Sequence, residues 1–516
     1  MIEVLKNAFS ELGRTLAAFI RAPRALWGIN LPFILEGLVY FGLLTILGKF
    51  CSENVGLSDV HAGWIYGAVT GGITFAMLLL GGVTDKLGIR TSLGLALGVM
   101  AFGRLLVSLS GTLPLGSGLG SPMFFLLVIG LLIMVSAYGL WQPAAYAGVK
   151  RYTNPRTAAM GYAVLYALMN LGAFLFGPLS AYTRHRFEAR FPPNGLTAVI
   201  WLLTAITFIA CLLCLIIITR RVDRNAVERV ERERREMAAE GEGSGTQPRS
   251  ERSRRAKIDS RPFLFYMAAA AAGLVLLLAV VTGRAALPLA VALFLTGAAL
   301  AAGGWEFLRH RPDHPFRDGR LVFFIFILIP VQTLFAHNWL TIPYYLDRAF
   351  TGTWVSAHFE ILSNLNPVLI FIFTPIFAGL TARANVYNMM IYGTLIMAVP
   401  TFLLALGPLA LPFVLYIIIM SVGEAIWQPR FLQWIAEIAP EGRTGAYMGI
   451  GQFPWFLTKV LTSLYSGHFV SNYIPLPGSG TALRTGEMWF YYALIAMISP
   501  FALFLARNWM LRHHRQ

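Results

Sequence analysis

The chain has 516 residues, of which 57% are apolar and 13% charged, and its mean hydropathy is +0.64. A water-soluble domain carries about a quarter charged residues, so that class is excluded. The apolar segments run to about 20 residues rather than the ~10 alternating residues of a barrel strand, and open-edged backbone finds no partners in lipid, which leaves membrane-spanning helices.

The first 26 residues, MIEVLKNAFSELGRTLAAFIRAPRAL, place apolar and basic residues at helical spacing without a small-residue cleavage site. They read as an amphipathic cytoplasmic helix on the inner membrane surface, not a signal peptide. Apolar spans follow near 27–48, 62–80, 93–111, 122–147, 159–182 and 197–219. The basic stretch 220–262 predicts a charged helix continuing out of the sixth span, then a Gly/Ser/Pro/Arg tether without fixed structure. Two more spans near 263–281 and 285–303 and a connector over 304–319 lead to a second set. That set lies near 320–345, 358–380, 387–406, 411–435, 446–466 and 488–507, with a tail over 508–516. The expectation is an all-α protein of fourteen spans, with six-helix bundles over 27–219 and 320–507 and two added helices over 263–303.

Positive loops stay in the cytoplasm. With the N-terminus inside, most of the 41 basic residues are cytoplasmic, and only Lys49, Arg184, Arg186, Arg190, Arg284, Arg348 and Arg484 fall in outer loops. Both termini are therefore expected inside, in a multi-pass protein of the inner membrane. The net charge of +16 is mostly this topology signal, so it predicts contact with anionic lipid headgroups rather than nucleic acid. Three cysteines, Cys51, Cys211 and Cys214, supply neither a disulfide framework nor a metal site. No zinc-spacing His pair, nucleophile elbow or phosphate loop is present, and His513 and His514 sit in the basic tail, so an enzyme is not expected.

A repeat organises the rest. Trp141-Gln142-Pro143 lies in the fourth span, and Trp427-Gln428-Pro429 lies in the fourth span of the second set. Each is followed by a helix length, a charged loop with Arg-Thr, and Met-Gly. Gln donates and accepts without a charge, indole adds an apolar face with one donor, and each proline frees a carbonyl one turn earlier. If the halves are pseudo-symmetric, these pairs face each other across a central cavity; otherwise they are hinges left by duplication. Between spans two and three lies GGVTDKLGIRTS, with Gly81, Asp85, Gly88 and Arg90. It resembles the G-x-x-x-D-(R/K)-x-G-x-(R/K) loop of the major facilitator superfamily. That resemblance implies two six-helix bundles with substrate between them near mid-membrane and a gating role for the loop.

Further segments resemble the bacterial proton-coupled oligopeptide transporters, which also carry two extra helices. They are YALMNLGAFLFGPL from Tyr166, SNLNPVLIFIFTPIFAGL from Ser363, and GEAIWQP from Gly423 followed by IAPEGRTGAYMG. The resemblance implies substrate-binding roles for Tyr40, Asn170, Gln332 and Asn366, beside Trp141, Gln142, Trp427, Gln428 and His337. The departures lie at charged positions. Where the family reads E-x-x-E-R-F-x-Y-Y-G, FILEGLVYFG has Phe33 for the first Glu, keeps Glu36, and has Gly37 for the Arg. Gln142 stands for a family Lys, and Val331-Gln332 for a Glu-Gln pair. A dipeptide is a zwitterion whose unpaired charge at membrane depth costs at least ~2.5–3.5 kcal/mol. The losses therefore predict a modified peptide or another amphipathic molecule as substrate.

Charged groups inside spans are functional by default. Here they are Glu36, Arg104, Glu360, Glu424, Arg430 and Lys459. Arg430 reads as snorkelling to headgroups. Glu424 is the expected proton carrier, with Lys459 or water as its partner, and a fixed Glu424–Lys459 pair is the structural alternative. Glu36 with Arg104 is a second coupling candidate. The expected protein is a monomeric proton-linked symporter of a peptide-like or other small organic solute, needing no cofactor beyond the proton gradient. An exporter of drug- or lipid-like molecules and a non-transporting sensor are the alternatives.

Overall fold

The computed structural model describes residues 24–80, 83–153, 158–241, 265, 268–269, 272, 289–309, 311, 314–381, 384–438, 450–451 and 453–511. Among them every regular element is helical. The first half contains α1 (Arg24–Lys49), prolonged by a π-helical turn over Phe50–Asn54, then α2 (Asp59–Leu80), α3 (Ile89–Ser110), α4 (Pro122–Tyr152), α5 (Ala158–Phe187) and α6 (Leu196–Ile217). Next come α7 (Arg220–Gly241) and α8 (Leu289–Arg309). The second half contains α9 (Gly319–Ile327), α10 (Ile329–Leu340), α11 (Ile342–Ala349), α12 (Leu365–Leu380), α13 (Val386–Ala398), α14 (Ala410–Ile438), α15 (Phe453–Tyr473) and α16 (Thr485–Leu511).

Local chemistry sets the boundaries. Ser121 accepts from the Phe124 N–H at 3.1 Å and Pro122 opens α4, so orphan donors at the helix start are covered or removed. Asp318 accepts from the N–H groups of Arg320 and Leu321 before α9, and Asn385 from that of Asn388 before α13. Gly88, at φ +77°, turns the chain into α3 where a side chain would be strained.

Eight of the described helices are long and apolar enough to cross a membrane, beginning at Arg24, Ile89, Pro122, Leu196, Gly319, Val386, Ala410 and Thr485. Each half has its own apolar core, one built from residues between Ala25 and Ala226, the other between Leu321 and Met510. Four of the remaining six positions expected to span, α2, α5, α12 and α15, are also helical, and they join the halves: α2 packs on α15, and α5 on α12. Small residues let these backbones approach. A Cβ at Gly467 would lie 2.8 Å from the Val60 Cα, and one at Gly177 would lie 2.8 Å from the Ile361 Cα.

Three expectations are modified. The span near 320–345 is three helices in series, α9 to α11, with Pro330 and Pro343 each near the start of a new segment. The span near 358–380 is interrupted at Asn364, whose side-chain amide donates to the Glu360 carbonyl at 2.9 Å and to Thr45 Oγ1 at 3.2 Å. The charged stretch after α6 does not continue that helix. The chain breaks at Ile218–Thr219, Thr219 Oγ1 accepts from the Val222 N–H, and α7 docks on α4 through Tyr152 and Asp223, 2.7 Å apart. Most of the expected span 263–281, the amphipathic segment over 1–23, the tether over 242–264, both Arg-Thr loops (154–157 and 439–449), Gly81 and the tail after 511 lie outside the described residues.

Replacing Gly467 with Leu should separate α2 from α15 at a cost of roughly 1–3 kcal/mol. Detergent-solubilised protein should then unfold at a lower temperature than the wild type, whereas Leu at Gly297, where a Cβ meets nothing within 4 Å, should leave Tm unchanged.

Candidate functional site: a cleft between the halves

Exposure along the first helix of each half stops midway. On α1 the partly exposed residues Trp27, Leu31, Ile34 and Leu35 share one face, Tyr40 is partly exposed on the opposite face, and every residue from Phe41 to Lys49 is buried. On α9 and α10 the pattern repeats through Val322, Phe323, Phe326 and Ile327 to Phe335, beyond which Ala336 to Leu340 are buried. A third apolar cluster closes the seam at that level, with Phe41, Leu44, Tyr66 and Ala173 from one half against Ala336, Trp339 and Leu340 from the other. Phe41 stacks on Trp339 with ring centroids 5.1 Å apart. The halves thus form a cleft toward the end of α1 that bears Arg24, plugged toward the end that bears Lys49.

Ion pairs reinforce the plugged end. Arg348 donates to both carboxylate oxygens of Asp59 at 2.7 and 3.0 Å. Arg184 holds Glu360 at 2.5 Å and the Ala357 carbonyl at 2.6 Å. Lys49 pairs with Asp347 across the seam and with Glu53, 3.4 Å away, within its own half. Three of the basic residues expected in outer loops, Lys49, Arg184 and Arg348, are therefore inter-half contacts. No signal in the sequence marked Asp59 or Asp347 as their partners beyond a carboxylate at a span boundary.

The structure pairs Glu36 with Arg104. Arg104 donates to Glu36 at 2.9 Å (Nη1–Oε2) and 2.5 Å (Nη2–Oε1), and its two Nη atoms also reach Tyr138 and Thr207. Tyr138 donates to Glu36 in turn. Both charged side chains are about 2–3% exposed, so this cluster lies inside the first half and not in the cleft. Tyr138 and Thr207 were not legible as its members, since a Tyr and a Thr within apolar spans carry no distinctive spacing.

Glu424 is buried on α14. Asn366 Nδ2, from α12, donates to Glu424 Oε2 at 2.9 Å and lies 3.0 Å from Ser421 Oγ. No described cation lies within ion-pair distance of Glu424, and Lys459 is engaged elsewhere: its ammonium donates to the Tyr40 hydroxyl at 3.3 Å. The anticipated alternative of a fixed Glu424–Lys459 pair is thereby replaced by a carboxylate–amide pair. Gln332 accepts from Thr458 at 3.0 Å, while its Nε2 has no partner among the described residues.

The Trp-Gln pairs divide their labour, because successive helical residues point about 100° apart. Trp141 is buried against Phe33, and Trp427 against Met397 and Trp455. Both indoles therefore face their own half rather than each other. Gln142 and Gln428 are partly exposed, and Gln142 Nε2 meets the Tyr146 hydroxyl at 3.3 Å. His337 is fully buried in the second half, stacked on Tyr492 and bonded to Thr341 and Tyr465, which removes it from the cleft. Asn170 is buried on α5. In the loop between α2 and α3, Asp85 lies in the short helix Val83–Leu87, and Arg90 Nε donates to the Ile218 carbonyl at 2.7 Å. Arg430 donates to Thr381 Oγ1 at 2.9 Å.

Two helical bundles around a one-ended cleft define a membrane transport protein. The chain belongs to the major facilitator superfamily, whose model matches residues 29–453. Against the curated proteins the sequence finds no match. Among solved structures it is similar to a peptide transporter POT in complex with sulfate, at 15% identity over 95% of each chain, with TM-score 0.63. It is similar also to a POT family transporter in complex with 5-aminolevulinic acid, at 16% identity over 95% of this chain and 97% of the other, with TM-score 0.64. A point mutant of the nucleoside transporter NupG matches at 13% identity over 93% of this chain and 99% of its own, with TM-score 0.63. These likenesses share the fold.

Removing one partner of the buried pair should be costly. Glu36→Gln and Arg104→Met should each destabilise the protein by about 3–5 kcal/mol, read as a fall in Tm in detergent. The double variant should recover much of that loss, since no lone charge remains; equal and additive losses would show that the two residues act independently.

Proposed function

We propose that the chain is a secondary transporter working by alternating access, moving a small organic solute across the cytoplasmic membrane together with a proton carried by Glu424. The observation that carries this reading is the one-ended cleft: partial exposure on α1 and on α9–α10 ends after Tyr40 and Phe335, where a plug of aromatic residues and inter-half ion pairs begins. With the termini in the cytoplasm, the cleft opens inward, and breaking the pairs at the Lys49 end would give the opposite state.

Glu424 supports proton coupling through its surroundings. An ionised carboxylate enclosed without a cation is costly, and Asn366 and Ser421 offer only neutral groups. A proton on Glu424 removes that cost while the site is closed, and water reaching the site in an open state can accept the proton. Glu36 is held by Arg104 and has its counter-ion throughout, which supports a structural role for that pair.

The solute is a peptide-like or other small polar organic molecule. The POT and NupG relatives handle peptides, 5-aminolevulinic acid and nucleosides by their own descriptions. Gly37, Gln142 and Val331 replace the family's charged clamp, which argues against the usual pairing of both ends of a dipeptide. Purified protein in proteoliposomes should accumulate a component of a metabolite extract under an inward proton gradient. Glu424→Gln should abolish the gradient-driven accumulation while leaving solute exchange at equal pH. Gradient-driven accumulation undiminished in Glu424→Gln would dismiss Glu424 as the carrier, and no movement under any gradient would favour a sensor.

A further inference from the structure

Most charged groups between or within the halves arrive with a partner of opposite sign. Arg104 has Glu36, Arg348 has Asp59, Arg184 has Glu360, and Lys49 has Asp347 and Glu53. Lys459 differs. It sits seven residues into α15, is partly exposed, and has no described carboxylate within ion-pair distance. Its neighbour is the Tyr40 phenol, whose oxygen accepts from the ammonium at 3.3 Å and whose ring centroid is 6.0 Å away. An ammonium has three donors and a phenol has one hydrogen; the Lys459–Tyr40 bond uses one ammonium donor and none of the phenol's.

The position of this pair is informative. Tyr40 is partly exposed and packs against the aromatic plug, and its bond to Lys459 crosses from one half to the other, so the ammonium lies between the halves beside that plug. A second observation comes from the adjoining residue. Thr458 donates to Gln332 Oε1, and the Nε2 of that fully buried Gln332 is a donor without an acceptor among the described residues. Around them stand Phe335, packed edge-on to Trp455 at 5.1 Å, and Trp455 itself, stacked toward Trp427. The region around Lys459 thus holds a positive charge with no described carboxylate beside it and is walled by aromatic rings.

We propose that Lys459 and Tyr40 form an anion-binding subsite, and that the transported solute is an organic monoanion with a carboxylate or similar oxyanion at one end and an apolar or aromatic body. This rests on the transport reading above and narrows its substrate class. The charge balance favours a single negative charge. The Glu36–Arg104 pair is neutral as a unit, and Glu424 bearing a proton is neutral, so Lys459 is the charge left for the solute to neutralise. A charge enclosed in the closed cleft is costly unless paired, and a bound monoanion meets that requirement where a zwitterion would bring an ammonium with no described carboxylate beside Lys459 to receive it. Lys459 thereby supplies, from the other half and another helix, a cation that Gly37 and Gln142 do not.

Binding and transport separate the two layers of the argument. The full chain in detergent is titrated with a panel of C2–C10 monocarboxylates that includes benzoate, with benzamide as the uncharged counterpart and dialanine as the zwitterion, following intrinsic tryptophan fluorescence and Tm. At least one monocarboxylate should bind, with benzamide and dialanine much weaker. Lys459→Met should weaken that binding by roughly 30-fold or more, as for removal of one partner of a desolvated charge pair. Tyr40→Phe should weaken it less, and Lys459→Arg should preserve most of it and so control for folding. The proposal is overturned if no monocarboxylate binds, if benzamide binds as well as benzoate, or if Lys459→Met with wild-type Tm binds unchanged. Gradient-driven accumulation of an extract component that persists in Lys459→Met would leave the transporter standing and remove the anion subsite. Monocarboxylate binding without any transport would do the reverse.

Discussion

An ionised group at membrane depth costs several kcal/mol unless something neutralises it, and the layout of this protein follows from where its counter-ions come from. Glu36 and Arg104 reach each other from α1 and α3 and are further bound by Tyr138 and Thr207, so their neutralisation is internal to one half. Arg348–Asp59, Arg184–Glu360 and Lys49–Asp347 are neutralised between halves. Glu424 finds an amide, and Lys459 a phenol. These arrangements fall into three kinds: a pair enclosed within one half, pairs that span the halves, and charged groups whose described partners are neutral.

Packing expresses the same division. The apolar core of each half is continuous within that half, and the cluster that bridges the halves is small and confined to one level of the seam. Close approach elsewhere relies on glycine, as at Gly467 and Gly177, where backbones meet with little interdigitated side chain. Such surfaces separate without tearing a core, which is what rigid-body rocking requires.

Much of this was legible in the sequence, to differing depths. Composition and span length dictate a helical membrane protein, and the duplicated Trp-Gln-Pro with the Gly81–Arg90 loop indicates two related halves. Intramembrane charge singled out Glu36, Arg104, Glu424 and Lys459, because so few such groups exist. Their partners were harder. Asn366, implied by resemblance as a substrate contact, is bonded to Glu424, and helices distant in sequence decide which neutral group faces a carboxylate. Trp141 and Trp427 looked like cavity residues because indoles suit ligands, yet indoles also fill cores, and only the helix rotation distinguishes the two. The break at Asn364 had no sequence signal stronger than an Asn before a Leu; it exists because Thr45 of the other half offers a partner.

The strength of a pair should suit what it must do during a cycle. Glu36 and Arg104 are almost wholly buried, so separating them would strand two charges in apolar surroundings; they are suited to permanence. The inter-half pairs differ, because at least one partner keeps some contact with solvent, as with Asp347 at 27% exposure and Asp59 at 12%. When the seam parts at that end, water enters and hydrates both partners, so the attraction lost is largely replaced. Each exchangeable pair therefore adds little to the barrier while fixing the register of the closed state. The plug of Phe41 and Trp339 works in the same sense, since its exposure on opening is offset by the cleft that closes at the other end. Tyr40 and Lys459 meet across the seam beside that plug, where the buried stretch of α1 begins.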